Sequence, residues 1–278
     1  MQPHISFIGV GNMATAIIGG LIKAGYPTNR ITGTARSQDK RENLASRYGI
    51  KMLADNKEAI TLADIVVLCV KPMQMQNVIM DIKNEISNKQ LYVSVAAGIE
   101  LKDFAVWLGE DIPVVRSMPN TPSQVGAGMT GLIGNTLVSD QHQHWCQQIF
   151  ASIGQSIWLK KEQDMHAVTA LSGSSPAYFF RFLEVMIQAG QQYGLDKKTC
   201  RELATQAMLG AAKMAIDSNE EIEQLRKNIT SPNGTTEQAL LSLETNNIES
   251  TMTEAIAACI GRSKEMAQLF STTAEQKG

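Results

Sequence analysis

The 278-residue sequence has no unbroken apolar run near the roughly 18 residues that a membrane-spanning helix needs. The first four residues also lack the basic segment that begins a signal peptide, and no cleavage site follows them. Charge of neither sign is in excess, with 25 Lys and Arg against 27 Asp and Glu and no dense basic cluster. We therefore expect no nucleic acid and no membrane as partners, and a small molecule as the substrate.

Metal-binding and disulfide patterns are also missing. The four cysteines are widely spaced without a Cys-x-x-Cys pair, and the four histidines show no ligand spacing beyond His142-x-His144 in a polar segment. These patterns are typical of a reduced cytoplasmic enzyme with inert cysteines. We expect a cytoplasmic location and no metal.

The chain divides into an alternating half and a helical half. Short β-branched runs alternate with helical patterns at residues 5–10, 31–35, 65–70, 91–96, 114–118 and 156–159. Later segments, at residues 164–192, 197–217, 235–244 and 249–270, repeat apolar residues at helical spacing. This pattern predicts an α/β fold, with a parallel sheet covered by helices in residues 1–160 and a helical domain in residues 161–278.

The first apolar run leads into a G-x-G-x-x-A motif. Gly9 would allow a tight turn, Gly11 would let a pyrophosphate approach the backbone, and Ala14 would let helix and strand pack closely. Because the motif follows a strand and opens a helix, it favours dinucleotide binding. The alternative is a purely structural strand-to-helix turn.

The second predicted strand ends in Arg36 and Ser37 rather than in the Asp or Glu typical of NAD sites. A cation beside a hydroxyl suits the 2′-phosphate of NADP(H). Alternatively, Arg36, Lys40 and Arg41 form an ordinary solvated helix start.

Two more strands end in residues that suit a cofactor site. Lys71 and Pro72 follow "LCV", and the small residues Ala97 and Gly98 follow "VSVA". Ligands of open α/β sheets bind outside the carboxyl ends of the strands, and small residues there leave room for a nicotinamide ribose. The alternative is that Pro72 starts a helix and Gly98 forms a turn.

In the helical half, Ser231 to Gly234 form a turn before an amphipathic helix that opens with Thr235, Thr236 and Glu237. The unpaired N–H groups of a helix N-terminus can hold a small carboxylate. Plain helix capping is the alternative.

Six segments in order resemble the pyrroline-5-carboxylate reductase family: "FIGVGNM", "LCVKP", "VSVAAGI", "RSMPNTP", "ALSGSSPAY" and "SPNGTT". The resemblance implies an N-terminal Rossmann domain and a helical C-terminal domain that forms a homodimer or a higher oligomer of dimers. It also implies reduction of L-1-pyrroline-5-carboxylate to L-proline, the last step of proline biosynthesis, with NADPH as cofactor and NADH used less efficiently.

Matched residue by residue, the resemblance implies a cofactor site. The glycine turn, residues 9–13, would hold the pyrophosphate. Arg36 and Ser37 would contact the 2′-phosphate or the adenosine ribose, and Asn56 would contact the adenosine end. The remaining residues of the set would lie at the nicotinamide end. The full set is Gly9, Val10, Gly11, Asn12, Met13, Arg36, Ser37, Asn56, Val70, Lys71, Pro72, Ala97 and Asn228.

The resemblance also implies a substrate site. Glu162 matches an acidic position near the substrate. The carboxylate of the substrate would be bound by Ser231, Gly234, Thr235 and Thr236. The Thr236 hydroxyl would point at the ring nitrogen as the catalytic group, supplying or relaying the proton unless a water does so.

The chain departs from the family at Asn233 and Ser175, where Gly is common. Asn tolerates the left-handed backbone conformation, so the first departure is expected to be neutral. Ser175 adds a side chain in a segment of small residues, where it either crowds the site or belongs to a helix contact.

Two other functions compete with the reductase. A β-hydroxyacid dehydrogenase relies on a Lys early in its helical domain, and "DMHAVTALSGSSPAYFF" contains none. A non-catalytic NADP-binding regulatory protein would tolerate an eroded substrate turn, whereas "SPNGTT" is largely intact.

Overall fold

The computed structural model describes residues 2–275, and the side chains of residues 2–270. Its eight-stranded sheet has the order β3-β2-β1-β4-β5-β6-β7-β8, and all neighbours are parallel except β6 and β7. The strands are β1 Ile5–Ile8, β2 Ile31–Thr34, β3 Lys51–Leu53, β4 Ile65–Leu68, β5 Leu91–Ser94, β6 Val114–Met118, β7 Gly128–Gly134 and β8 Gly154–Trp158.

All six predicted strands are present, which confirms the α/β fold, and two strands were not predicted. Strand β3 has only three residues, none of them fully buried, so no apolar run marks it. Strand β7 is interrupted by glycines and runs antiparallel to β6. The sheet is therefore mostly, rather than wholly, parallel.

Helices follow most strands and make up the later part of the chain. They are α1 Asn12–Lys23, α2 Gln38–Tyr48, α3 Asn56–Thr61, α4 Pro72–Asp81, α5 Leu101–Leu108, α6 Asp140–Ala151, α7 Met165–Val168, α8 Ser175–Gln192, α9 Lys197–Asp217, α10 Ile222–Asn228, α11 Thr235–Thr245 and α12 Ile248–Glu275. The predicted helical segment 164–192 is divided, because Thr169–Gly173 form a π-helical turn between α7 and α8. Among the helices of the later part, α10 was not predicted.

Strand β4 explains why the sequence "DIVVL" has no alternation. Ile65 and Val67 belong to a core cluster on one side of the sheet, while Val66 and Leu68 belong to a second cluster on the other side. All four are fully buried. A strand covered by helices on both faces is apolar throughout.

The chain forms two compact units. The first contains residues up to Ser174 together with those from Cys259 onward, and the second contains Ser175–Ala258. The first unit carries the whole sheet, and the second is helical. The expected boundary between residues 160 and 161 stays a prediction. No helix among the described residues combines the length and the apolar character needed to cross a bilayer.

Two adjacent glycines of α1 differ in what surrounds them. A Cβ atom on Gly20 would lie 2.5 Å from the carbonyl oxygen of Ser152 and 2.7 Å from Ile153 Cγ2. A Cβ atom on Gly19 would lie 3.5 Å from the Tyr48 ring, an ordinary contact. Gly20 therefore sets how closely α1 packs against the end of α6.

We expect Gly20→Ala to lower the free energy of unfolding by about 1–3 kcal/mol, since the backbone carbonyl of Ser152 cannot move aside as a side chain would. Gly19→Ala is the matched control and should be neutral or stabilising by up to about 1 kcal/mol, the gain in helix propensity. Urea unfolding followed by circular dichroism measures both. Equal stability of the two variants would contradict this account of α1.

Candidate active site

The turn after β1 depends on a glycine. Gly9 has a φ of +83°, and a Cβ atom there would lie 2.5 Å from Val70 Cγ1. The Gly9 N–H donates to Thr34 Oγ1 at 2.9 Å, and the Val10 N–H donates to the Thr34 carbonyl oxygen at 2.8 Å. These bonds join the ends of β1 and β2, and a larger residue than Gly9 would collide with Val70, which follows β4.

Gly11 lies at the start of α1 beside open space. It is the N-cap residue without a side-chain cap hydrogen bond, and a Cβ atom on it would meet nothing within 4 Å. The first N–H groups of an α-helix have no intrahelical acceptor, and the dipole there favours an anion. Ala14 is fully buried, which lets α1 approach the sheet. The turn thus offers backbone donors and room for a phosphate group.

A cavity of about 630 Å³ opens beside this turn, along the carboxyl ends of β1, β2 and β4. The chain order reverses between β1 and β4, which is where open α/β sheets bind their ligands. Eight of the predicted cofactor residues line the cavity: Gly9, Val10, Gly11, Arg36, Ser37, Asn56, Val70 and Lys71.

The β2–α2 segment gives one end of the cavity a positive charge. Ser37 caps α2 by accepting from the Lys40 N–H at 3.4 Å. Arg41 donates to the carbonyl oxygens of Ala35 and Arg36, each at 2.8 Å, and so holds the loop. Arg36 and Lys40 both line the cavity. The sequence places Lys40 only in a solvated helix start, because the direction of its side chain depends on where α2 begins.

Five predicted cofactor residues do not line this cavity. Asn12 lines a separate cavity between α1 and the end of α2, Met13 packs against the core, and Pro72 is the first residue of α4. Ala97 is half-buried after β5. Asn228 lies in the second unit, where it donates to Glu220 at 2.9 Å and accepts from Gln224 at 2.7 Å. Their cofactor roles stay predictions.

Cys69 also lines the cavity, and burial raises the pKa of its thiol above the usual value. Its sulfur is therefore a neutral, inert lining group at ordinary pH. Among the residues that the structure describes, no three His, Cys, Asp or Glu side chains gather as a metal site.

Glu162 forms an ion pair in the first unit. Its Oε1 lies 2.5 Å from Arg116 Nη1 and also accepts from the Leu101 N–H at 2.8 Å. The Arg116 side chain is 5% exposed and that of Glu162 is 28% exposed. Burial lowers the pKa of the nearby His166, and the Arg116 charge lowers it further. The structure thus places Glu162 in contact with Arg116 and the start of α5, and its place near the substrate stays a prediction.

The "RSMPNTP" segment packs against the π-helical turn. Asn120 donates to the Ser172 carbonyl oxygen at 3.0 Å and accepts from the Met129 N–H at 2.9 Å. A Cβ atom on Gly173 would lie 2.6 Å from Met118 Cε, the flexible end of that side chain, so the two segments are in close contact. Ser175, the first residue of α8, is buried.

In the second unit, the turn predicted to bind the substrate, called the substrate turn, comprises residues 231–236. The Gly234 N–H donates to the Ser231 carbonyl oxygen at 3.0 Å, and α11 begins at Thr235 with no side-chain cap on Gly234. Asn233 has a φ of +60°, in the left-handed region, and its N–H donates to Glu237 Oε2 at 2.7 Å. Asn233 therefore adopts a conformation in which glycine is favoured and asparagine is tolerated.

Comparison with known proteins gives matches along almost the whole chain. A family model described as "Pyrroline-5-carboxylate reductase dimerisation" matches residues 162–266, and another, described as "NADP oxidoreductase coenzyme F420-dependent", matches residues 4–98. A pyrroline-5-carboxylate reductase of Pseudomonas aeruginosa is 42% identical over 266 residues, 96% of this chain and 97% of that protein.

Solved structures of the same family also match this chain. A pyrroline-5-carboxylate reductase from Coxiella burnetii, 41% identical, superposes with a TM-score of 0.93 over 96% of this chain and 99% of that one. The Plasmodium falciparum pyrroline carboxylate reductase, solved with NADP bound, is 30% identical with a TM-score of 0.86 over 96% and 99% of the two chains. On this identity and coverage, the chain belongs to the pyrroline-5-carboxylate reductase family.

Proposed function

We propose that this protein reduces L-1-pyrroline-5-carboxylate to L-proline with NADPH, the last step of proline biosynthesis. The observation that carries the proposal is 42% identity with a pyrroline-5-carboxylate reductase over 96% of the chain. The open space beside Gly11, in a cavity made by the expected residues, supports it. The same cavity can accept NADH at lower efficiency.

The residues of the first unit fit NADPH. The amides at the start of α1 would bind the pyrophosphate, and Gly11 leaves room for it. Arg36, Ser37 and Lys40 would hold the 2′-phosphate, and Asn56 the adenosine end. Val70 and Lys71 would contact the ribose that carries the nicotinamide. We keep Asn12, Met13, Pro72, Ala97 and Asn228 in the proposed cofactor set through the family resemblance.

The substrate turn would hold the imino acid. Its carboxylate would bind the amides of Thr235 and Thr236 at the start of α11, with the Ser231 hydroxyl beside them. Gly234 would lie against the carboxylate, while its own N–H donates to the Ser231 carbonyl oxygen. The left-handed Asn233 and the Glu237 carboxylate that accepts its N–H hold the turn in this form. Glu162 stays in the proposed substrate set through the family resemblance.

Reduction of the C=N bond requires few catalytic side chains. Bound NADPH supplies the hydride that reduces the C=N bond. The protein positions the imine by its carboxylate at one end and by the Thr236 hydroxyl at the ring nitrogen, which becomes protonated. Positioning of two reactants alone removes a large part of such a barrier. The proposed reaction therefore needs no metal.

We infer a homodimer, or dimers assembled further, from the second unit. Ala204 and Cys200 are its only buried hydrophobic residues in the described part of the chain. Its exposed apolar residues include Phe179, Phe180 and Met186, each at least 50% exposed in the single chain. Apolar surface of this extent marks an interface. Sedimentation velocity should find a particle of at least two chains, and a single chain at micromolar concentration would contradict this inference.

We also infer a cytoplasmic location, since all four cysteines are free. Cell fractionation tests this, and recovery of the protein outside the cytoplasmic fraction would contradict it.

The reaction is tested by steady-state oxidation of NADPH at 340 nm with L-1-pyrroline-5-carboxylate, and with NADH in parallel. Substrate-dependent oxidation that favours NADPH is expected. Folded protein that binds NADPH and leaves the imine unreduced would overturn the reaction.

Arg36→Glu should raise KM for NADPH roughly 10- to 100-fold, the size of a lost charge-assisted hydrogen bond, because a carboxylate would repel the 2′-phosphate. KM for NADH should change little. Arg47→Glu is the matched control, since it makes the same charge change on an exposed arginine outside this cavity. Equal losses for NADPH and NADH would mean that Arg36 serves the fold.

Thr236→Ala should lower kcat by roughly 100-fold or more, the usual contribution of a proton donor, while NADPH binds unchanged. Thr236→Ser should keep most of the activity. Thr235→Ala is the control, because it removes the neighbouring hydroxyl and keeps the backbone amide. Full turnover in Thr236→Ala would assign the proton to water.

A further inference from the structure

We propose that Glu162 is a positioning residue, which acts through Arg116 and Leu101 to hold the turn that receives the nicotinamide end of the cofactor. The VAAG turn, residues 95–98, follows β5 and leads to α5. This inference rests on the proposed cofactor site.

The charge of Arg116 holds the Glu162 carboxylate in place. Arg116 lies on β6, where it pairs with Ser94 at the end of β5. Its side chain is almost entirely buried, and a buried charge needs a partner of opposite sign. Glu162 Oε1 provides this partner at 2.5 Å. The carboxylate is therefore held against the sheet directly beside the strand that leads into the VAAG turn.

The same carboxylate oxygen fixes the start of α5. It accepts from the N–H of Leu101, the first residue of that helix, at 2.8 Å. The Asp103 carboxylate accepts from the Glu100 N–H at 2.9 Å and completes a capping box. Because only Ile99 and Glu100 separate Leu101 from the VAAG turn, a shift of α5 would move the turn.

The turn is enclosed from the other side as well. Gly98 has a φ of +81°, and a Cβ atom there would lie 3.0 Å from Phe270 and 3.4 Å from Met266 of α12. His166 and Ser263 join α7 to the same helix at 2.9 Å. With α12 behind Gly98, the turn cannot relax in that direction when its anchor at Leu101 is lost.

The VAAG turn lies next to the cofactor cavity in the same unit. Strand β5 pairs with β4 up to Leu68 and Ser94, and Val70 and Lys71 after β4 line the cavity. Arg36 and Lys40 occupy the end beyond β2, on the other side of β1. A change in the VAAG turn should therefore affect the nicotinamide half of NADPH and leave the adenosine half unaffected.

Calorimetric titration of Glu162→Gln with two ligands tests this role. Gln keeps an acceptor for the Leu101 N–H and loses the charge opposite Arg116. We expect Kd for NADPH to rise roughly tenfold, as for a lost charged hydrogen bond. Kd for 2′-phospho-ADP-ribose, which lacks the nicotinamide, should stay within twofold. Glu110→Gln, an exposed glutamate of the same unit, is the control and should leave both unchanged.

Leu101→Pro removes the N–H that donates to Glu162, and it tests the positioning role independently if Glu162→Gln does not fold. Proline is accepted at the first position of a helix, and the extended backbone of Glu100 suits a following proline. Leu101→Ala controls for the lost side chain. Leu101→Pro should weaken NADPH roughly tenfold beyond Leu101→Ala, with 2′-phospho-ADP-ribose unchanged.

Two results would overturn the positioning role: unchanged NADPH affinity in a folded variant, or equal weakening of both ligands. Both readouts are binding constants of the free enzyme. Wild-type protein that binds NADPH without reducing the imine would therefore overturn the proposed reaction alone.

Discussion

The close approach of β1, α1 and β4 at Gly9 is the constraint on which the rest of the site depends. Gly9 has a positive φ with Val70 against it, and two bonds to Thr34 join the strand ends. This contact sets the distance between the start of α1 and the end of β4. The amides proposed to bind phosphate, the room beside Gly11 and the cavity all follow from that distance, because they lie on the elements that meet there.

The two ends of the proposed cofactor cavity are built by different means. At the adenosine end, Arg36 and Lys40 lie on a short loop that Arg41 holds through backbone carbonyls. At the nicotinamide end, the VAAG turn has no charged side chain, and we propose that its position depends on the ion pair between Arg116 and Glu162. In the proposed site, charge would select the cofactor at one end, and packing would orient it at the other.

The helical unit combines a polar turn with an apolar surface. Asn233 shows how a departure from the family can be accommodated: it keeps the left-handed conformation, and Glu237 accepts its N–H. The exposed phenylalanines of α8 show that this unit, taken alone, does not bury its own apolar residues. The matching family model describes a dimerisation domain, and association with another chain would cover such residues.

The sequence by itself determined the α/β class, the six main strands and the identity of the glycine turn, because apolar runs and glycine spacing are local properties. It also grouped eight residues that share one cavity, since strands of a parallel sheet end at one edge. Only the tertiary structure decided the rest. The antiparallel β7, the cavity-facing Lys40, and the contacts of Glu162 with Arg116 and Leu101 depend on residues far apart in the chain. Such pairings arise from packing, and no local pattern records them.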